Sequence, residues 1–270
     1  MIPEIIILIG KWIRKLIREL IRENVRLDRR RNNMRYKAIL FDMDGTLLPM
    51  DMDQFIGAYF SELTKVMLPF GFTKEELKKK LFVGVDAMVR NDGHQTNMEA
   101  FWEVLAKGHE DMDMQAVVDT TNDFYTKDFH KVKAVATKEN PLAVKAVALA
   151  REKAEQVILS TNPLFPAVAQ ASRLSWIGLK PEDFELVTAY EDNLYCKPNP
   201  QYFVAICERM GLDPKECFMI GNDELEDMHT ASSLGMDCYL VTDWMIPREG
   251  YTWTGKKGTF EDLLNYLASL

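Results

Sequence analysis

Asp42 and Asp44, one residue apart and followed by Gly45 and Thr46, stand directly after the apolar run Tyr36–Phe41 (YKAILF). A buried strand that breaks into a glycine turn aims such carboxylates into the crevice at the carboxyl end of a sheet, where they suit nucleophilic attack, proton transfer or cation binding. The tripeptide Asp-Met-Asp occurs three times, at 42–44, 51–53 and 111–113, and only the first leaves a strand-like run. The second reads as a solvated loop and the third as a helix cap. His94, His109, His130 and His229 are scattered without ligand spacing and are not read as metal residues.

The elements that position these groups follow from periodicity. Besides YKAILF, the runs at 157–160 (VILS), 186–189 (LVTA), 217–220 (CFMI) and 238–241 (CYLV) read as buried strands. Helices separate the later strands. Asn140-Pro141 and Asn199-Pro200 each offer a cap followed by proline, and Gly211 can end the helix QYFVAICERM. This alternation predicts a doubly wound parallel sheet, an α/β fold of Rossmann type. The gap between the first two strands is too long for one crossover and holds several helical patterns, near 52–68, after Thr73 with Glu76, after Thr96 with Glu99, and near 114–129. An all-helical cap at about 49–135 is therefore expected over a core made of 34–48 and 136–270.

The 270 residues are 47% hydrophobic and carry a net charge of −8, which supports a buried core and argues against a grip on nucleic acid built on phosphate neutralisation. Four cysteines without close pairing suggest a reducing, cytoplasmic setting rather than a disulfide scaffold. Residues 1–33 differ in kind. They hold nine Lys or Arg against four Asp or Glu, and apolar positions from Ile9 to Val25 recur at helical spacing opposite a basic face. The uninterrupted apolar run is far shorter than the roughly 20 residues a membrane span needs. Such an extension would bind a membrane surface if it is a genuine part of the protein. The preferred reading is a translated leader, because Met34 stands just ahead of the first strand and three consecutive arginines, Arg29 to Arg31, permit a purine-rich ribosome-binding stretch before it.

In its first motif, Asp42-Met43-Asp44-Gly45-Thr46, the chain resembles the haloacid dehalogenase superfamily, and the other three motifs follow in the family's order. Thr161 is the preferred hydroxyl of the second motif with Ser160 its rival, Lys197 matches the third, and 221–227 match the acidic fourth. The resemblance covers about 35–270 and implies a Mg²⁺-dependent phosphatase of small organic phosphate monoesters. In that mechanism Asp42 becomes an aspartyl phosphate, Asp44 transfers the proton, Thr161 and Lys197 hold the phosphoryl oxygens, and Asp42, the Asp44 carbonyl and Asp223 hold the metal. Asp227 and Asn162 would act behind them. Dehalogenation is disfavoured because Asp44 is present.

A phosphomutase of the same superfamily and a membrane-peripheral binding protein without turnover are the alternatives; intact Asp42, Asp44, Lys197 and Asp223 speak against the second. The substrate is expected to be read by the cap, with the polar loop carrying Arg90, Asn91 and His94 as the candidate reader. Neither the substrate's identity nor the oligomeric state follows from the sequence.

Overall fold

The computed structural model describes residues 34–270 and, ahead of them, only Leu16, Ile17 and Glu19. The basic helix expected within 1–33, and its reading as leader or anchor, lie outside the described residues. The chain divides into two compact units, Met1–Arg35 and Tyr36–Leu270. The sheet and all four motifs lie in the second.

The sheet is parallel throughout and six-stranded, in the order β3-β2-β1-β4-β5-β6. Its strands are β1 (Tyr36–Phe41), β2 (Ala154–Leu159), β3 (Leu186–Val187), β4 (Cys217–Gly221), β5 (Asp237–Val241) and β6 (Lys256–Gly258). Central β1 is flanked on both faces, so after Lys37 its run is apolar without a break and Ala38 to Phe41 are fully buried. The ladder continues past the strand ends: Ser160 N donates to Phe41 O at 2.7 Å and Asp42 N to Ile220 O at 2.9 Å. The first, second and fourth motifs are thereby set side by side at one edge. β3 is shorter than the expected 186–189; beyond it Thr188 N still donates to Leu159 O at 3.1 Å, and its hydroxyl donates to the Thr161 carbonyl at 2.6 Å. β6 was not expected: its lysines are exposed, and an edge strand with one neighbour needs no apolar run.

Between β1 and β2 lie α1 (Met52–Met67), α2 (Lys74–Val89), α3 (Asn97–Ala106), α4 (Met114–Lys127) and α5 (His130–Ala136). Their starts follow from caps. Thr73 accepts from Glu76 N, Thr96 and Glu99 form a reciprocal capping box, and Asp51 and Asp113 accept from Gln54 N and Ala116 N. Both later Asp-Met-Asp copies are thus helix starts, the one at 51–53 included.

The core helices are α6 (Ala143–Lys153), α7 (Ala167–Ser175), α8 (Gln201–Met210), the short α9 (Thr230–Ser233) and α10 (Phe260–Ser269). The asparagines of the two Asn-Pro pairs stand ahead of the helices rather than at their caps, which fall at Leu142 and Pro200. Asn140 and Asn199 accept from Leu142 N and Gln201 N, and α8 ends at Gly211 in the left-handed region.

Candidate active site

At the end of β1 the Asp42 carboxylate accepts from Lys197 Nζ at 2.9 Å and from the Thr46 hydroxyl at 3.2 Å. Lys197 is 1% exposed and also donates to Asp227 Oδ1 at 2.7 Å. The other Asp227 oxygen accepts the backbone N–H groups of Asn222 and Asp223, both at 3.0 Å. This close approach requires Gly221, where a Cβ would meet the Asp227 carboxyl at 2.3 Å. Asp227 therefore fixes the lysine that faces Asp42. Burial, opposed by Lys197, pushes the Asp42 carboxyl above its usual range, and burial likewise brings Asp227 to about 6. Burial disfavours the Lys197 ammonium, but Asp227 and Asp42 keep it charged.

Around this centre the expected residues fall as follows. The Ser160 hydroxyl is turned to the Phe41 carbonyl at 3.3 Å. The neighbouring Thr161 is 2% exposed, and no hydrogen bond among the described residues claims its hydroxyl. Asn162 ties two motif loops together: it accepts from Lys197 N at 3.1 Å and donates to Glu226 Oε2 at 3.0 Å.

No hydrogen bond or ion pair among the described residues joins the Asp223 carboxylate to the first motif. One of its oxygens accepts from Leu225 N and Glu226 N, both at 2.9 Å, and the other from Arg248 Nε at 2.8 Å. The side chain that meets the first motif is Asn222. Its Oδ1 and the Asp42 Oδ2 share the Thr46 hydroxyl, at 3.3 and 3.2 Å, and a Cβ on Gly45 (φ +83°) would strike its amide at 2.1 Å.

Asp44 pairs with Arg173, a guanidinium with no exposure that also donates to Gln170 Oε1 and lies 4.5 Å from the Phe165 ring. Arg173 was missed in the sequence. Its signal was there: a cation on the face of α7 that buries Ala169, Gln170 and Leu174. Arg248 had no such signal, because the loop after β5 has no periodicity to place it.

The loop carrying the candidate substrate readers is engaged with its own neighbours and with the core. Arg90 and His94 are exposed and engaged by Asp86 and Asp92, and with Asn91 they line a pocket that no motif residue enters. Asn91 is buried and donates to Asn97 at 2.9 Å; Asn97 in turn donates to the Pro163 carbonyl and its N–H to Asn193 O. This loop ties the helical insert to the core.

Whether the site fits a divalent cation is decided by its charges and donors. Asp42, Asp44, Asp223, Glu226 and Asp227 face Lys197, Arg173 and Arg248, a formal excess of two negative charges in a largely buried cluster, part of which the raised carboxyls relieve by holding protons. No three His, Cys, Asp or Glu side chains among the described residues form a metal cage by themselves. An oxygen set drawn from Asp42, the Asp44 carbonyl and the Asn222 amide, with Asp223 behind it, suits Mg²⁺, a hard cation that keeps several waters.

Glu226 gives a measurable consequence. Burial and then Asp223 raise its pKa to about 7, although Arg248 lies 2.8 Å away. The folded state therefore holds this proton more tightly than the unfolded chain, so its stabilisation is complete below about 4.5 and is lost as pH rises through about 7. The share of Glu226 in metal-free protein is on the order of 3 kcal/mol over that window, beside the share of Asp227, which burial raises to about 6. Urea midpoints from pH 4.5 to 8 would record the fall, and Glu226→Gln should make it shallower; an equally steep profile in the variant would assign the loss elsewhere.

Comparison with known proteins agrees with this geometry. Residues 36–235 match the model of the haloacid dehalogenase-like hydrolase family. The chain is 24% identical over 202 residues to the glyceraldehyde 3-phosphate phosphatase of Methanopyrus kandleri, covering 74% of this chain and 81% of that protein. It is 27% identical over 218 residues to the protein of the same name from Methanothermobacter thermautotrophicus, covering 79% and 88%. Among solved structures it resembles a HAD phosphatase from Thermococcus onnurineus, with a TM-score of 0.54 and 22% identity over 86% of this chain and 97% of that one. It also resembles the HAD-hydrolase YfnB of Bacillus subtilis, solved bound to magnesium, with a TM-score of 0.50 and 18% identity over 86% and 98%.

Proposed function

The chain belongs to the haloacid dehalogenase-like hydrolase family and is a phosphatase, and on that premise we propose that it hydrolyses a small organic phosphate monoester with Mg²⁺ through an aspartyl phosphate on Asp42. One observation carries the reading most directly. The Asp42 carboxylate lies at the carboxyl end of the central strand, 2.9 Å from a buried lysine that Asp227 holds in place. A carboxylate attacks a phosphate dianion only where charge repulsion is cancelled, and Lys197 supplies one fixed cation for this. Mg²⁺, when bound, would supply further neutralisation of the phosphoryl oxygens; the magnesium bound by the Bacillus subtilis relative supports its use here.

The residues divide the work. An Asp42 oxygen forms a bond to phosphorus as the bond to the leaving oxygen breaks, and Asp44 gives that oxygen its proton. Water then attacks the aspartyl phosphate, Asp44 takes its proton, and phosphate leaves with Asp42 restored. Arg173 fixes the orientation of the Asp44 carboxylate through both turnovers of its proton. Thr161 and Lys197 hold the phosphoryl oxygens, while Asn162 keeps their two loops in register.

A panel of phosphorylated metabolites incubated with the full chain and Mg²⁺ should release free phosphate. Chelation with EDTA should reduce release to background, and added Mg²⁺ should restore it. Absence of phosphate release from every ester, or release that EDTA leaves untouched, would count against the reading.

A further inference from the structure

The helical insert encloses a cavity of about 200 Å³, walled by α1 to α4 and floored by Leu164 and Phe165 from the loop after Thr161. Its lining is apolar apart from a few hydroxyls that are largely engaged. The Tyr59 and Tyr125 hydroxyls share a hydrogen bond of 2.6 Å, the Tyr190 hydroxyl accepts from Trp102 at 3.1 Å, and the Thr121 hydroxyl donates within its own helix at 2.8 Å. The O–H groups left over, that of Tyr190 and one of the tyrosine pair, are too few to replace the water of a polyhydroxylated guest, so an apolar one is favoured.

Two residues connect this cavity to the catalytic crevice. Phe165 lines its floor and also lies against the Arg173 that pairs with Asp44. Met52 lines both the cavity and the polar crevice that contains Asp44 and Asn222. The rim is apolar as well: Met52, Ile56 and Phe82 are exposed by 38%, 37% and 51% while lining the cavity. Protein interiors are close-packed, and an apolar space with an apolar mouth is a ready binding site.

We propose that this cavity takes an apolar chain or ring of about six carbons, a size judged from the benzene that a cavity of about 150 Å³ accepts. Resting on the phosphatase reading above, that guest is the leaving group of the ester, placed so that its oxygen meets Asp44. The site then selects alkyl or aryl phosphates over three-carbon hydroxylated ones. It departs in this from the glyceraldehyde 3-phosphate named for the two archaeal relatives.

The test uses the full chain with Mg²⁺ and two homologous series, n-alkylphosphonates and n-alkanols from one to eight carbons, with binding measured by calorimetry. Affinity should rise about threefold to fourfold per methylene up to about six carbons and then level, as expected for buried CH₂ groups. Val85→Phe, which adds bulk on the cavity wall, should flatten both series, whereas Val83→Phe, on the exposed face of the same helix, should leave them unchanged. Flat series in the native protein, or series that Val85→Phe does not alter, would overturn the proposal; if that variant fails to fold, the native series still decides. Hydrolysis of p-nitrophenyl phosphate scores the phosphatase reading separately. Turnover with flat series rejects the cavity site alone, and length-dependent alkanol binding without turnover of any ester rejects the phosphatase reading alone.

Discussion

Asp42→Asn is expected to reduce phosphate release by roughly 10³-fold or more on every ester, because the amide cannot form the acyl phosphate on which turnover depends. The fold should survive the change. Asn is nearly isosteric; its amide oxygen can still accept from Lys197 while its NH2 faces the Thr46 hydroxyl, which can turn to accept, and Lys197 keeps its second partner in Asp227 at 2.7 Å. Removing a buried carboxylate whose pKa is raised by burial should even relieve some desolvation. Loss of turnover with an unchanged unfolding midpoint is therefore the expected pair of results. Rapid quenching of the native protein with substrate should add one phosphoryl group to the peptide containing Asp42, and the variant should add none. Turnover near that of the native protein, or a phosphoryl group on another residue, would remove Asp42 from its role.

What the sequence discloses and what it withholds divide along a physical line. Strand β1 was legible because a strand buried on both faces must be apolar without interruption, and Asp42 was legible because it breaks that run at the point where a parallel sheet binds its ligands. The capping roles of Thr73 and Thr96 were legible because the partners lie three residues away. Pairings chosen by tertiary placement were not. Asp223 has the acidity of a metal ligand, yet its carboxylate is engaged by Arg248, 25 residues downstream in a loop. Asn222, by chemistry the weaker ligand of the two, is the side chain that shares Thr46 with Asp42. Arg90 and His94 look like recognition residues in a polar loop, but each is engaged by an acid within four residues and away from the motifs. The apolar side chains that line the proposed leaving-group cavity were equally hidden, because their spacing on α1 and α2 reads as an ordinary helix core.

Arg173 should have the second largest effect, and its origin differs from that of Asp42. The guanidinium touches no reacting atom; it holds one oxygen of Asp44 while resting on Phe165 and Gln170. Arg173→Met removes the cation at similar volume and leaves Asp44 without its partner, so the carboxyl loses its fixed orientation toward the leaving oxygen. General acid catalysis contributes about 10² to 10⁴-fold, which sets the scale of the loss. It should not fall evenly on substrates. An alkyl phosphate, whose leaving oxygen needs a proton, should lose about 10²-fold in kcat, and p-nitrophenyl phosphate, whose phenolate leaves unaided, only a few-fold. Breaking a buried ion pair also costs about 3–5 kcal/mol, so the variant should melt earlier. Arg173→Lys separates the two effects: it retains the charge but not the forked geometry, and should recover part of the alkyl phosphate rate while the ratio between the two esters moves back toward the native value. Equal losses on both esters, with a ratio that Lys does not change, would reduce Arg173 to a packing residue beneath Phe165.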